Sequence, residues 1–142
     1  MYANQPKYIP SMIEKMRENN LDIVYGSRYD ENGGICGWSF FRKLTSRVAN
    51  FITVQSFNQS VSDFTNSFRI YKRDLFQKLI PEVQNKGFAF QMEIMVRAGW
   101  RQAKIDSVSI VFVDRIYGKS KLGPNEVYLY LDAVWRLINT AH

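Results

Sequence analysis

A chain of 142 residues can bury a real core and fits one domain, and a hydrophobic fraction of 46% with mean hydropathy of −0.28 excludes a disordered polymer. The formal charge of +6 favours anionic partners: nucleic acid, phosphorylated ligands or an anionic membrane surface. With Cys36 as the only cysteine and His142 as the only histidine, the chain has no intrachain disulfide, no Ser-His or Cys-His dyad in its body and no His/Cys zinc site, so any chemistry rests on carboxylates, cations and borrowed cofactors.

Pro10 near a first turn, followed by Ile13 and Met16, predicts an amphipathic helix over residues 9–19 that stops at Asn19-Asn20. A short β-rich run over 21–25 ends at Gly26, and residues 30–39 read as a polar, glycine-rich loop. Leu44, Val48, Phe51 and Ile52 are spaced for a helix over about 41–57, with irregular polar sequence at 58–66. Residues 67–71 alternate like a strand, 73–80 read as a short helix closed by Pro81, and 90–100 as a mostly buried helix. Residues 107–113 predict one strand, 117–124 a loop and 126–138 a terminal helix, apolar on most faces, that suits either the core or a membrane partner. Alternating helices and strands argue an α/β class with a partly parallel sheet. The longest dense apolar stretch, Ile110-Val111-Phe112-Val113, is of strand length, and the first residues lack a secretory signal pattern.

Several residues can carry chemistry or be ordinary. Arg28 follows a strand end, where open α/β sheets place their sites, and Gly26 before it would let backbone approach a ligand; it reads equally as a solvated surface arginine. Arg42 and Ser46 lie one turn apart, with Lys43, near a helix start that favours an anion; the alternative is a basic solvent face. Asp63 is a candidate catalytic acid or a turn cap, and Arg69 a candidate partner for a neighbouring acid. Gln91 and Glu93, two apart at a helix start, cannot both face one ligand, and Glu93 suits a first-turn surface position as well. Gly118-Lys119-Ser120-Lys121 imitates a phosphate-binding loop, but Val113 stands where that motif needs its first glycine, so the stretch with Arg115 reads as a flexible cationic clamp.

Gly26-Ser27-Arg28-Tyr29, Ser62-Asp63-Phe64-Thr65-Asn66-Ser67-Phe68-Arg69 and Phe112-Val113-Asp114-Arg115, in that order and spacing, resemble the dolichol-phosphate mannosyltransferases, family 2 glycosyltransferases of GT-A type. Gly37-Trp38, Gln91-Met92-Glu93 and Ser120-Lys121-Leu122-Gly123 fall where that family has them. The resemblance implies transfer of mannose from GDP-mannose to dolichyl phosphate with inversion, for N-glycan, GPI-anchor and O-mannosyl synthesis. It implies Asp63 as the acceptor-side catalytic acid, Arg28, Arg42, Ser46, Arg115 and Lys119 at the lipid phosphate, and Gln91, Glu93, Ser120 and Lys121 near substrate. It further implies Mg2+ or Mn2+ in the full-length enzyme, small membrane-anchoring subunits, no nucleic acid, and the cytosolic face of the endoplasmic reticulum.

Two departures stand out. Asn66 occupies a position where the family has Gly, tolerable because Asn accepts left-handed backbone. Met1 stands where the family has the last Asp of its metal-binding Asp-Ala-Asp triplet, and Met1 and Ala3 both occupy positions where the family has metal-binding or metal-adjacent polar residues. Residues 1–142 are therefore expected to form one incomplete domain: the acceptor-side, C-terminal part of a GT-A (Rossmann-like) fold, a mixed sheet flanked by helices without the nucleotide-binding strands. The chain alone is expected to bind no metal, to lack transferase activity and to leave an apolar sheet edge that promotes association. The alternatives are a non-catalytic phosphate- or partner-binding remnant and a polyprenyl-phosphate transferase using another sugar nucleotide.

Overall fold

A computed structural model describes residues 6–29, 33–36, 39–57, 59, 61–64, 66–113 and 124–140. Helix α1 (Ile9–Asn19) has Pro10 in its first turn, where the missing N–H is no loss. It ends at Asn20, whose left-handed backbone (φ 50°) returns its N–H to the Arg17 and Met16 carbonyls. Met12 from α1 packs with Leu21 and Val24 beneath the strand that follows.

That strand, β1 (Ile23–Ser27), is buried at all five positions and organises the sheet. On one side it pairs antiparallel with β3 (Arg69–Tyr71), Val24 opposite Ile70; on the other it pairs parallel with β4 (Ile105–Ser109), from Ile23 opposite Ile105 to Ser27 opposite Ser109. Neither flanking strand is an uninterrupted apolar run: β4 carries Asp106, Ser107 and Ser109. Lys15 donates to the Ser107 carbonyl at 2.6 Å and pairs with Asp106.

Two elements differ from expectation for the same reason. The run 107–113 is broken at Ile110, whose N–H donates to the Ser27 carbonyl at 3.0 Å while its own carbonyl accepts from Gly34 at 3.0 Å. Beyond it β5 (Val111–Val113) leaves the first sheet and pairs parallel with β2 (Gly34–Cys36), a short strand inside the stretch read as loop. Gly26 makes room at this junction: a Cβ there would stand 2.8 Å from the Ile110 Cδ1.

Helix α4 (Phe88–Trp100) supplies the core with Met92, Ile94, Met95, Val96 and Ala98, all without exposure. Helix α3 (Arg73–Leu79) ends just ahead of Pro81, which lies in the 3-10 turn Ile80–Glu82 that follows. Helix α5 (Pro124–Thr140) buries Tyr130, Ala133, Val134 and Leu137 in the same core, as the core reading of that helix expects, while Tyr128, Leu131 and Trp135 remain exposed.

Helix α2 (Phe40–Phe57) begins with Ser39, whose hydroxyl accepts from the Arg42 N–H at 3.3 Å as a cap. Its buried residues are polar: Ser46, Asn50 and Thr53. Thr53 and Tyr130 share a 2.5 Å hydroxyl contact that ties α2 to α5. Burial pushes the Tyr130 phenol far above its ordinary range, against the smaller opposing effect of the Thr53 hydrogen bond. The folded state therefore holds that proton more tightly. The associated stability is whole below the unfolded phenol pKa of about 10 and is lost as pH rises beyond it. Urea unfolding midpoints should fall above pH ~10, and Tyr130→Phe should flatten that fall. Identical alkaline slopes would contradict the assignment.

Candidate active site

The site forms where β1 ends and the chain must leave the sheet. Arg28, the first residue past β1, turns its guanidinium inward rather than to solvent, and is 5% exposed. Its Nε donates to Asp63 Oδ2 at 2.8 Å, its Nη2 to Oδ1 at 2.9 Å, and its backbone N–H to Oδ2 at 3.2 Å. Asp63 has no exposure at all. Burial opposes the Arg28 charge, but the hydrogen-bonded Asp63 carboxylate more than offsets it and holds the guanidinium above its ordinary range. A fork-to-fork pair of this kind fixes orientation as well as charge.

The segment carrying Asp63 has no regular structure of its own, so side chains hold it. The Tyr25 hydroxyl accepts from the Ser62 N–H at 2.9 Å, Asn50 Oδ1 accepts from the Phe64 N–H at 2.6 Å, and Ser27 and Ser62 share a 2.7 Å hydroxyl contact. Asn66 donates its Nδ2 to the Gly26 carbonyl at 2.9 Å and its backbone N–H to Asp63 Oδ1 at 3.3 Å. Asn66 is therefore used for its amide side chain; among the described residues only Asn20 and Gln102 are non-glycines with positive φ. Arg69 pairs with no acid in its hydrogen bonds to this segment. It donates to the Phe64 carbonyl at 2.7 Å and to the Gln91 carbonyl at 2.7 Å, joining the Asp63 segment to α4.

Tyr29 links the ion pair to α2. Its hydroxyl donates to Ser46 Oγ at 2.5 Å, and the guanidiniums of Arg28 and Arg47 lie over its ring, 5.5 and 5.4 Å from the centroid. Burial raises the Tyr29 phenol pKa, with the Ser46 hydrogen bond and the two arginines acting the other way. Arg42, partly buried, stands one turn before Ser46 on the same helix. Arg28, Asp63 and Ser46 are thus brought together, with Arg42 a turn away.

The other predicted site residues divide. Gln91 meets the cluster through its backbone carbonyl. Glu93 does not join it and is not on the surface: it is 1% exposed. It accepts from the backbone N–H groups of Gln84 and Asn85, from Asn85 Nδ2 at 2.6 Å and from Arg97 Nε at 2.8 Å. Its carboxylate organises the turn before α4. Arg115, Lys119, Ser120 and Lys121, with Gly37-Trp38 and Leu122-Gly123, lie outside the described residues. Tyr25 and Asn50 were not singled out from sequence, and Tyr29 and Ser62 only as members of the motif stretches; for Asn50 the available signal was Ser46, Asn50 and Thr53 recurring at helical spacing on one face of α2. Among the described residues no three His, Cys, Asp or Glu side chains come together to hold a metal ion.

Chemically, the described cluster joins a neutralised, buried arginine–carboxylate pair to the Ser46 hydroxyl and the Arg47 guanidinium through Tyr29, and contains no histidine to move a proton. Residues 2–80 match the glycosyl transferase family 2 profile. The chain belongs to glycosyl transferase family 2. It is 28% identical over 121 residues to an undecaprenyl-phosphate mannosyltransferase of Micrococcus luteus, covering 84% of this chain and 49% of that one. It is 30% identical over 135 residues to a dolichol-phosphate mannosyltransferase of Pyrococcus furiosus, covering 94% and 37%. It is 29% identical over 126 residues to a polyprenol monophosphomannose synthase of Mycolicibacterium smegmatis, covering 88% and 47%. The chain spans half or less of the length of these relatives. In this family 2 domain the α/β class and the mixed sheet flanked by helices follow the sequence reading.

Asp63→Asn preserves the shape of the carboxylate and removes its charge, leaving a buried guanidinium uncompensated. Breaking a buried pair in this way costs roughly 3–5 kcal/mol. Urea denaturation of the variant should show a loss of that order; wild-type stability would mean that solvent or another group neutralises Arg28.

Proposed function

We propose that the protein transfers a mannosyl group from a nucleotide-activated donor, GDP-mannose, to a polyprenyl phosphate such as dolichyl phosphate, and that this chain supplies the acceptor side. The observation that carries this reading is the buried Arg28–Asp63 pair at the end of β1, joined through Tyr29 to Ser46 and to the Arg47 guanidinium on α2, with Arg42 one turn before Ser46 on that helix. The relatives support it through their names, each of which joins a mannosyl product to a polyprenol-type lipid phosphate.

A phosphate monoester has a second pKa near 6, so at neutral pH its oxygen is anionic and needs no general base. The difficulty is to bring that anion up to an electrophilic carbon whose leaving group is also anionic. Arginines solve the acceptor half by charge and geometry. Arg42 and Ser46 hold the phosphate, Tyr29 sets the position of Ser46, and Asp63 keeps Arg28 oriented so that the pocket wall stays cationic. The phosphate oxygen then forms a bond to C1 of the sugar as the C1–oxygen bond to the donor diphosphate breaks. The electron pair leaves with that diphosphate and the α-linked donor becomes a β-linked product. A divalent cation, Mg2+ or Mn2+, belongs to the leaving-group side of this proposal and is assigned to no described residue of this chain.

The acceptor half is testable without a donor. Farnesyl phosphate titrated into the chain and followed by 31P NMR should bind with an affinity that falls as salt is raised. Arg42→Ala should weaken it by about tenfold or more, the value of a charge-assisted hydrogen bond. Equal binding of farnesol, which lacks the phosphate, or an unchanged affinity in Arg42→Ala would contradict the reading.

A further inference from the structure

The two guanidiniums that lie over the Tyr29 ring are not equivalent. That of Arg28 is buried and committed to Asp63, donating to both carboxylate oxygens. Arg47 is the opposite case. It is exposed, and among the described residues its guanidinium meets no carboxylate and donates no hydrogen bond; what it does meet is the Tyr29 ring, 5.4 Å from the centroid. No neighbour on its own helix can neutralise it, since α2 has no Asp or Glu in 18 residues. Other arginines of the molecule are matched. Arg97 lies 5.8 Å from the Trp100 centroid but also donates to Glu93 at 2.8 Å, and the exposed Arg101 and Arg136 pair with Glu82 and Asp132.

We propose that Arg47 is a further acceptor-binding residue: held over Tyr29, it grips the phosphate monoester and supplies the uncompensated positive charge that Arg28, neutralised by Asp63, does not. A cation over an aromatic face suits this work. The attraction is between charge and ring quadrupole and consumes no N–H donor, so the planar fork of the guanidinium stays available for two parallel bonds to a phosphate. The ring also restricts a long side chain that would otherwise lose freedom on binding, which lowers the cost of the grip. Tyr29 is itself fixed, because its hydroxyl donates to Ser46 Oγ at 2.5 Å. Adjacent residues on a helix point about 100° apart, and the single Tyr29 side chain spans that difference, with its hydroxyl on Ser46 and its ring under Arg47. The grip is strongest on a dianion. A phosphate monoester has its second pKa near 6, so it carries two charges at pH 7 and one at pH 5. A guanidinium already matched by a carboxylate gains little from the second charge, whereas an unmatched one gains in full.

This role rests on the polyprenyl-phosphate reading, but the two can fail separately. The test is a titration of farnesyl phosphate into the full 142-residue chain, followed by 31P NMR at pH 5 and pH 7. The wild type should bind more tightly at pH 7. Arg47→Met, at an exposed position, should weaken binding at pH 7 by about tenfold, the value of a charge-assisted hydrogen bond. It should also lose most of the gain between pH 5 and pH 7, which a merely structural role would leave in place. Arg47→Lys keeps the charge without the fork and should fall between the two. Lys78→Met removes the same charge from the exposed last turn of α3 and should match the wild type at both pH values. Wild-type affinity with an unchanged pH response in Arg47→Met overturns the role of Arg47 and leaves the acceptor reading standing. A wild type that binds no farnesyl phosphate sinks both. An equal loss in Lys78→Met would make Arg47 one charge among many, and inorganic phosphate bound as tightly as farnesyl phosphate would assign the grip to a free anion; either result counts against the proposal.

Discussion

A carboxylate with no exposure must be neutralised inside the fold, and Asp63 is neutralised by Arg28 through two side-chain contacts and one backbone contact. Much of the rest follows from keeping that pair together. Arg28 is delivered by a central strand buried on both faces, so its position is fixed by the sheet. Asp63 arrives on a segment without regular structure, so Tyr25, Asn50, Asn66 and Arg69 each donate or accept a hydrogen bond to hold it. An unmatched buried charge would cost several kcal/mol, a sizeable share of the stability of a small domain. The pair therefore couples the integrity of the fold to that of the site.

Polarity inside α2 is part of the same arrangement. A helix that turns Ser46, Asn50 and Thr53 inward loses hydrophobic burial on that face, and each of the three recovers it by a specific bond: Ser46 to Tyr29, Asn50 to the Asp63 segment, Thr53 to Tyr130. What the helix does not bury are its aromatic residues. One element thus presents hydrogen-bonding groups to the site and apolar groups outward.

Much of the fold was legible because it rests on local spacing. The apolar intervals of α1, α2, α4 and α5 place those helices within a few residues, and the β-rich run at Ile23 to Tyr25 marks the central strand. The switch at Ile110 was not legible: 107–113 is a uniform β-forming run, and its break is imposed by distant groups, the Ser27 carbonyl and the Gly34 N–H. The short strand at Gly34–Cys36 escaped for the same reason, since its partner lies more than seventy residues away in Val111–Val113. Within the site, Arg28, Asp63, Arg42 and Ser46 could be named from motif order, but their mutual pairing could not. Glu93 misled because a helix-start carboxylate looks exposed, whereas its donors at Gln84 and Asn85 fold back over it. Asn66 was read for its backbone tolerance when its side chain carries the contact.

The central claim is that Arg28 and Asp63 act as one unit, and a double-mutant cycle measures that directly. Arg28→Met, Asp63→Leu and the double variant would be compared by urea denaturation. The account predicts strong coupling: each single change leaves a buried charge unmatched, while the double change removes both and recovers a large part of the lost stability. Single losses that simply add in the double variant would show that the two side chains do not depend on each other, and the ion pair would lose its place at the centre of the fold and of the site.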